Sequence, residues 1–181
     1  MSRKYKFLNK EGLYFVSFAT VYWIDVFVRQ EYFNKLVESL QYSREKKGLE
    51  IYSWCIMPSH VHLIFRSKEG NPEQVLGKLK EYTSKQLQDL IKESMVESRK
   101  EWLSWMFKQA GKKSSNVKSG QFWQHNNKPI ELWSQEVIDQ KIDYIHNNPV
   151  EAGFVREPEH WNYSSAIDYS GGKGLLEIDF A

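Results

Sequence analysis

The stretch Pro-Ser-His-Val-His-Leu-Ile-Phe at 58–65 constrains the fold most strongly. Residues two apart in a β-strand point to the same face, so His60 and His62 would stand side by side there. In an α-helix the two imidazoles would lie about 200° apart. The run is short and apolar, and it lies between a Pro-Ser pair and the Gly-Asn-Pro at 70–72, which favours a strand. The residues predicted to face a core on the other side are Val61, Leu63 and Phe65.

The two histidines of this strand have two interpretations. Imidazole is the commonest metal ligand in proteins, so His60 and His62 form a plausible half of a metal site. A His-x-His pair without further context is more often structural. The pair alone leaves both interpretations open.

Hydrophobic periodicity places further elements on both sides of this strand. The predicted elements are strands at 13–21, 49–57 and within 121–133, and helices at 30–47, 73–93 and from 134 onward. This order predicts an α+β fold, a ferredoxin-like βαββαβ antiparallel sheet with an additional C-terminal helix. The His-x-His strand would be an inner strand. The last helix should stop near Asn147 or Asn148, because Pro149 disfavours helical geometry in the residue before it.

The length of 181 residues predicts a single domain. Its residues 94–120 change character and are interpreted as an insertion, and residues 156–181 as an irregular tail. Cys55 is the only cysteine, so no disulfide can form within the chain, which fits a reducing cytoplasmic setting. We expect no signal peptide and no membrane association, because no apolar run approaches the roughly 20 residues of a membrane helix.

Charge gives only local indications of a partner, because the net charge is +2. Lys80 and Lys85 lie on the polar side of the second predicted helix, and Arg66 lies on the histidine face of its strand. A basic segment at 104–120 contains no acidic residue and includes Lys112 and Lys113. These five residues are candidate DNA contacts, although solvated surfaces explain such charges equally well.

A second pattern lies far along the chain. Tyr144 and Asn148 are four residues apart, which is about one helical turn, so both side chains could project the same way. Two imidazoles and an amide oxygen would make an open three-ligand site for a divalent ion that polarises a phosphodiester. A nearby tyrosine could then attack and form a covalent phosphotyrosine. Taken alone, the same residues are more often those of an amphipathic helix and its end.

Two motifs together resemble a known family. Met-Pro-Ser-His-Val-His-Leu-Ile at 57–64 resembles the HUH motif of the single-tyrosine transposases. Tyr-Ile-His-Asn-Asn-Pro-Val-Glu-Ala-Gly-Phe-Val at 144–155 resembles the signature of their REP-associated branch. Shorter matches occur at 12–16, 80–85 and 161–165, so the resemblance covers most of residues 10–170.

The resemblance implies a metal-dependent nuclease and strand transferase that acts on single-stranded or hairpin DNA. His60, His62 and Tyr144 would be catalytic, and Asn148 would join the two histidines as the third ligand of Mg²⁺ or Mn²⁺. The product would be a 5′-phosphotyrosine and a free 3′-OH. Relatives include monomers and homodimers, and both remain open for this chain.

Two other functions remain open at this point. The chain could be a domesticated protein that binds palindromic DNA without cutting it, or a metal hydrolase that activates water. Neither would need Tyr144 as a nucleophile. The remaining histidines of interest, His125 and His146, could contact DNA or assist proton transfer, but they are interpreted as ordinary surface residues.

Overall fold

A computed structural model describes residues 6–112, 120–125 and 127–180. The strands are β1 (Tyr14–Ala19), β2 (Leu49–Ile56), β3 (His60–Ser67) and β4 (Ile130–Glu131). The helices are α1 (Gln30–Lys47), α2 (Pro72–Glu93), α3 (Lys100–Lys112), α4 (Gln135–Glu151) and the short α5 (Ala166–Tyr169). Single 3₁₀ turns occur at Val21–Trp23 and Pro158–His160.

The sheet has the strand order β2-β3-β1-β4, and all neighbouring strands are antiparallel. In β3, His62 pairs with Ser17 of β1 on one side and with Cys55 of β2 on the other. This is the order of a βαββαβ ferredoxin-like sheet, so the predicted fold class is confirmed. The histidine strand is an inner strand, as expected.

Each face of the sheet carries its own core. Val61, Leu63 and Phe65 belong to the larger core, which is covered by residues of α1, α2 and α3. On the opposite face, Ile64 of β3 packs in a smaller core that includes Ile142 and Ile145 of α4. The histidines alternate with Val61 and Leu63, so they lie on the α4 face.

A β-bulge in β2 changes which residues face α4. The pairing of β2 with β3 shifts between Ile51 and Ser53, so Tyr52 is the extra residue. Ile51 lies in the larger core and Tyr52 in the smaller one, while Ser53 contacts His146 of α4. Two consecutive β2 side chains therefore face α4, which strict alternation would not allow.

The fourth strand is interrupted. In this segment only β4 pairs regularly with β1, but Gln124 N donates to Ala19 O at 2.8 Å and Ser17 N to Asn127 O at 3.2 Å. Residues 122–125 and 127–131 thus follow the whole length of β1, as the predicted strand in this region requires. Among the described residues of this segment, only Ile130 and Glu131 form a regular strand.

Helix α4 does not stop where the sequence predicted. Its N-cap is Ser134, whose hydroxyl accepts a hydrogen bond from Val137 N, but the helix runs through Pro149 to Glu151. The expected end at Asn147 or Asn148 was wrong. Pro149 removes one backbone donor in the last turns, and its burial in the interior offsets this loss. Asn148 therefore stays in helical phase with Tyr144.

The predicted insertion contains α3, whose Leu103 and Phe107 are buried in the larger core. Whether residues 94–120 are an insertion, and whether the chain is one domain with an irregular tail, remain predictions. Across the described residues, none of the helices combines the length and the apolar character that a membrane crossing requires.

The turn between α2 and α3 is held by the buried carboxylate of Glu97. Arg99 Nε donates to its Oε1 at 3.0 Å, and Arg29 Nε and the Tyr32 hydroxyl lie at 3.3 Å from its Oε2. Hydrogen bonds from Arg99 are the largest cause that lowers the pKa of Glu97 to about 2. The carboxylate thereby joins the start of α1 to the α2–α3 turn.

We expect Glu97→Gln to lower the free energy of unfolding at pH 7 by about 3 kcal/mol, because it leaves two guanidinium groups without their buried partner. The folded pKa lies below that of an unfolded glutamate. The stabilisation is therefore complete above about pH 4.5 and is lost as the pH falls toward 2. Urea unfolding at several pH values measures both effects. Glu93→Gln, at an exposed position of α2, should change neither the free energy of unfolding nor its pH dependence. An equal loss of stability in Glu93→Gln would contradict the stabilising role of Glu97.

Candidate active site

The histidine rings of β3 lie next to each other, as the strand pattern predicted. The centroids of the His60 and His62 rings are 4.7 Å apart, in an edge-to-face arrangement. His60 is partly exposed, and its Nδ1 lies 3.2 Å from the Ser59 hydroxyl. Burial lowers the pKa of His60, while a hydrogen bond to the Asn148 side chain opposes this change.

His62 is almost completely buried, and its polar atoms lack partners. Only 3% of its surface is exposed, and neither Nδ1 nor Nε2 has a hydrogen-bond partner among the described residues. Burial is the main reason that its pKa falls to about 3, and the charges of His60 and Lys141 lower it further. The ring is therefore neutral at pH 7 and keeps a nitrogen lone pair for a ligand.

Helix α4 places Tyr144 against this pair. The Tyr144 ring centroid is 5.2 Å from that of His62 and 5.9 Å from that of Phe15. Phe15 in turn stacks on His62 at 5.7 Å, so the three rings contact one another. Ile142 and Ile145 anchor the helix in the smaller core and so fix its rotation. Tyr144 is 42% exposed, so its hydroxyl is accessible to a large substrate.

Lys141 and Asn148 complete the site from the same helix. The Lys141 ammonium lies 5.1 Å from the centre of the Phe15 ring and 5.3 Å from the centre of the Tyr144 ring. The side chain of Asn148, one turn beyond the tyrosine, acts on the His60 imidazole and opposes the fall of its pKa. Positions 141, 144 and 148 thus form one stripe along α4 that faces the histidines.

The residues present suit a divalent cation. Two neutral imidazoles and an amide oxygen are uncharged donors, and the two partnerless nitrogens of His62 are buried beside His60. No cluster of three or more His, Cys, Asp or Glu occurs within 6–112, 120–125 and 127–180. Any third protein ligand at the pair would therefore be a neutral group such as Asn148, and substrate or water oxygens would complete the coordination.

The predicted DNA contacts do not gather at this site. Lys80 projects from α2, which covers the opposite face of the sheet, and its ammonium donates to Gln124 O at 2.8 Å and to the side chain of Asn127. Burial lowers the pKa of Lys80 to about 8. Arg66 shares the face of the histidines, but it is paired with Glu50 at 2.6 Å.

The other predicted lysines are peripheral. Lys85 is exposed on α2, and Lys112 is exposed at the last residue of α3. Lys113 lies outside the described residues. All three stay predictions as DNA contacts.

His146 is not the surface residue that the sequence indicated. It is 7% exposed, and its Nε2 lies 2.8 Å from the Ser165 hydroxyl and 3.2 Å from the Ser53 hydroxyl. The two hydroxyls compensate the burial of the ring, which lowers the pKa of His146 to about 4. This contact joins α4 to β2 and to the C-terminal tail.

Sequence reasoning missed three neighbours of the histidines. Lys141 lies three residues before Tyr144, so helical spacing could have identified it. Phe15 is buried on the α4 face of β1, which becomes visible only with the strand register. Trp23, whose ring centroid lies 5.3 Å from that of His60, follows β1 in a turn that no pattern indicated.

Comparisons with known proteins agree with this architecture. A family model described as "Transposase IS200 like" matches residues 13–117. This range contains both histidines and ends before α4. A solved structure described as a REP-associated tyrosine transposase bound to a REP hairpin superposes with a TM-score of 0.62 at 16% identity, and covers 99% of this chain and 92% of its own. At that identity it shows the fold.

Two curated relatives extend the similarity beyond the residues that the family model matches. A putative REP-associated tyrosine transposase of Haemophilus influenzae is 24% identical over 167 residues, which are 91% of this chain and 85% of that protein. The REP-associated tyrosine transposase of Escherichia coli K12 is 25% identical over 139 residues, 76% of this chain and 66% of that protein. Since the family model matches more than half of its residues, the chain belongs to the IS200-like transposases, an enzyme family, and its predicted resemblance to the REP-associated tyrosine transposases is confirmed.

Proposed function

We propose that the chain is a metal-dependent single-stranded DNA endonuclease and strand transferase that forms a 5′-phosphotyrosine through Tyr144. The observation that carries the proposal is the position of an accessible tyrosine 5.2 Å, between ring centroids, from a buried histidine with two partnerless nitrogens. A structural histidine pair would be expected to have its polar atoms satisfied.

In the proposed reaction the Tyr144 oxygen attacks the scissile phosphorus. The bond from phosphorus to the 3′ oxygen breaks and the 5′ phosphate stays on the tyrosine. The phenol proton of Tyr144 is released to solvent water, and the departing 3′ oxygen takes up a proton from water, so no net proton is consumed. Attack of a 3′-OH on the phosphotyrosine reverses these changes and rejoins the strand. A divalent cation such as Mg²⁺ or Mn²⁺, held by His60, His62 and Asn148, would supply Lewis acidity at the phosphate.

Lys141 contributes the one positive charge that α4 directs at the tyrosine ring. Its ammonium lies near the faces of both Phe15 and Tyr144, which restricts its position. There it would offset the negative charge that develops on the tyrosine oxygen and on the phosphate. Burial keeps the neighbouring His62 neutral, so the lysine meets no adjacent positive charge.

The substrate class follows from the relatives. A hairpin is bound in the solved structure of similar fold, and the relatives are REP-associated transposases. We infer that this chain acts on a DNA hairpin with a single-stranded flank. The rings of His62 and Tyr144 lie 5.2 Å apart between centroids within a single fold, which supports a site completed within a monomer.

The test is to incubate the protein, with Mn²⁺ or Mg²⁺, with hairpin oligonucleotides taken from the palindromes that flank its own gene. We expect a covalent protein–DNA band on a denaturing gel, absent with chelator, and a nucleotide remnant on the peptide that contains Tyr144 by mass spectrometry. Cleavage without a covalent band would instead indicate a hydrolase that activates water. Binding without cleavage of any hairpin would indicate a domesticated DNA-binding protein.

A further inference from the structure

Two consecutive aromatic residues beside the histidine pair have an unusual backbone. Tyr22 and Trp23 have φ angles of +58° and +56°. This left-handed region is disfavoured for residues with a Cβ, and above all for bulky ones. Such strain persists only where the surrounding structure enforces it, and it is concentrated at functional sites.

The structure enforces this turn from both ends. The buried Thr20 donates through its hydroxyl to Ile24 O at 2.7 Å, and its amide donates to Ser59 O at 2.9 Å. Val21 N donates to Phe122 O at 2.8 Å, and the side chains of Val21 and Ile24 are buried. The two aromatic residues therefore form the fixed tip of an anchored loop.

This tip presents Trp23 to solvent directly beside the candidate metal ligands. The Trp23 ring lies edge-to-face with the His60 ring at 5.3 Å between centroids, yet 57% of the residue is exposed. Burial in the core would be the ordinary place for an indole, and the turn instead holds it at the mouth of the site. An unpaired base next to the scissile phosphate would lie within reach of this ring.

We propose that Trp23 is a base-stacking platform that holds an unpaired nucleobase of the single-stranded DNA flank beside the His60–His62 pair. Stacking on an aromatic side chain is a common way to bind single strands, and it accepts any base because every base has a π-face. The inference rests on the proposed function for the identity of the substrate. The residue it adds is a substrate contact in the turn that follows β1, next to His60.

The first experiment measures binding without cleavage. Fluorescence anisotropy with a fluorescein-labelled oligothymidylate in chelator compares the wild type with Trp23→Asn, Trp23→Phe and Trp105→Ala. Asparagine tolerates the left-handed conformation, and Trp105 is a matched control on α3 because it is 55% exposed. We expect Trp23→Asn to bind roughly tenfold more weakly, Trp23→Phe to lie between it and the wild type, and Trp105→Ala to bind like the wild type.

Thermal unfolding separates stacking from a structural role. Because asparagine relieves strain, Trp23→Asn should unfold at a temperature about 2 to 4 °C higher than the wild type while it binds DNA more weakly. A lower unfolding temperature would mean that the indole supports the fold. Any of three results would overturn the proposal. They are a lower unfolding temperature of Trp23→Asn, an affinity of Trp23→Asn for DNA equal to that of the wild type, and equal affinities of Trp23→Phe and Trp23→Asn.

The hairpin substrate links the platform to the scissile position. On a hairpin that the wild type cleaves, removing the base next to the cleaved phosphate should slow the wild type but add little to the effect of Trp23→Asn. If removal of the base and Trp23→Asn slow cleavage additively, the unpaired base does not stack on Trp23 beside the histidines, and that part of the proposal is overturned. If the wild type forms no adduct on any hairpin, the proposed function fails, whereas the oligothymidylate measurement still decides whether Trp23 stacks on DNA.

Discussion

Tyr144→Phe should abolish the covalent protein–DNA adduct and reduce strand cleavage by roughly a thousandfold or more, because it removes the oxygen that would bond to phosphorus. The residue is 42% exposed and its ring remains in the variant, so the free energy of unfolding should stay within about 0.5 kcal/mol. A thermal shift on addition of Mn²⁺ should also persist. The matched control is Tyr42→Phe, at a tyrosine of α1 that is 53% exposed.

The same variant tests whether one chain holds the whole site. Mixing Tyr144→Phe protein with a variant that lacks His62 would restore cleavage if each site took its tyrosine from a partner subunit. Because His62 and Tyr144 of one chain already lie 5.2 Å apart between ring centroids, we expect no restoration. Cleavage by the mixture would contradict a site within the monomer, and unchanged cleavage by Tyr144→Phe alone would contradict the nucleophile.

Much of the fold was predictable because its signals are local. The alternation of Val61, His62 and Leu63 assigns the two faces of β3 correctly, and the helical spacing in α1 gives its observed bounds, Gln30–Lys47. The spacing of Tyr144 and Asn148 correctly predicted that both lie on one helical face. These patterns depend only on the strand and helix periods.

The failures involve tertiary packing. The bulge at Tyr52 turns Ser53 toward His146, and period-two alternation contains no sign of it. The burial of His146 depends in addition on Ser165, more than a hundred residues after Ser53. Likewise, the rule that a proline ends a helix is local, whereas the burial of Pro149 that lets α4 continue is not.

The basic residues illustrate a different limit. Charge runs in a sequence do not reveal which face of the sheet a helix covers, so they give no sign that the ammonium of Lys80 is bonded to Gln124 and Asn127, on the side of the sheet away from the histidines. Lys141, which lies near the tyrosine ring, has no basic neighbours in the sequence that would mark it. The position of Lys141 on α4 identifies it as a residue of the site, whereas the local density of charged residues does not.

His62→Leu should abolish DNA cleavage and yet stabilise the metal-free protein. The wild-type ring buries two nitrogens without hydrogen-bond partners, and such groups typically cost about 1–3 kcal/mol. Leucine has a similar volume and suits the apolar surroundings of Phe15 and Ile64. We expect the free energy of unfolding without metal to rise by about 1 kcal/mol, or the unfolding temperature by about 2 to 4 °C.

Bound metal should reverse the order of stability of the wild type and His62→Leu. A cation that binds only the folded state raises the unfolding temperature of the wild type as its concentration increases, and His62→Leu should show no such increase. Scanning calorimetry with and without Mn²⁺ measures both effects, and His160→Leu, at an exposed histidine, is the control that should behave like the wild type. If His62→Leu is less stable than the wild type without metal but still responds to Mn²⁺, His62 has a structural role. If the variant is more stable and no longer cleaves DNA, the wild type retains this buried imidazole for metal binding at the expense of stability.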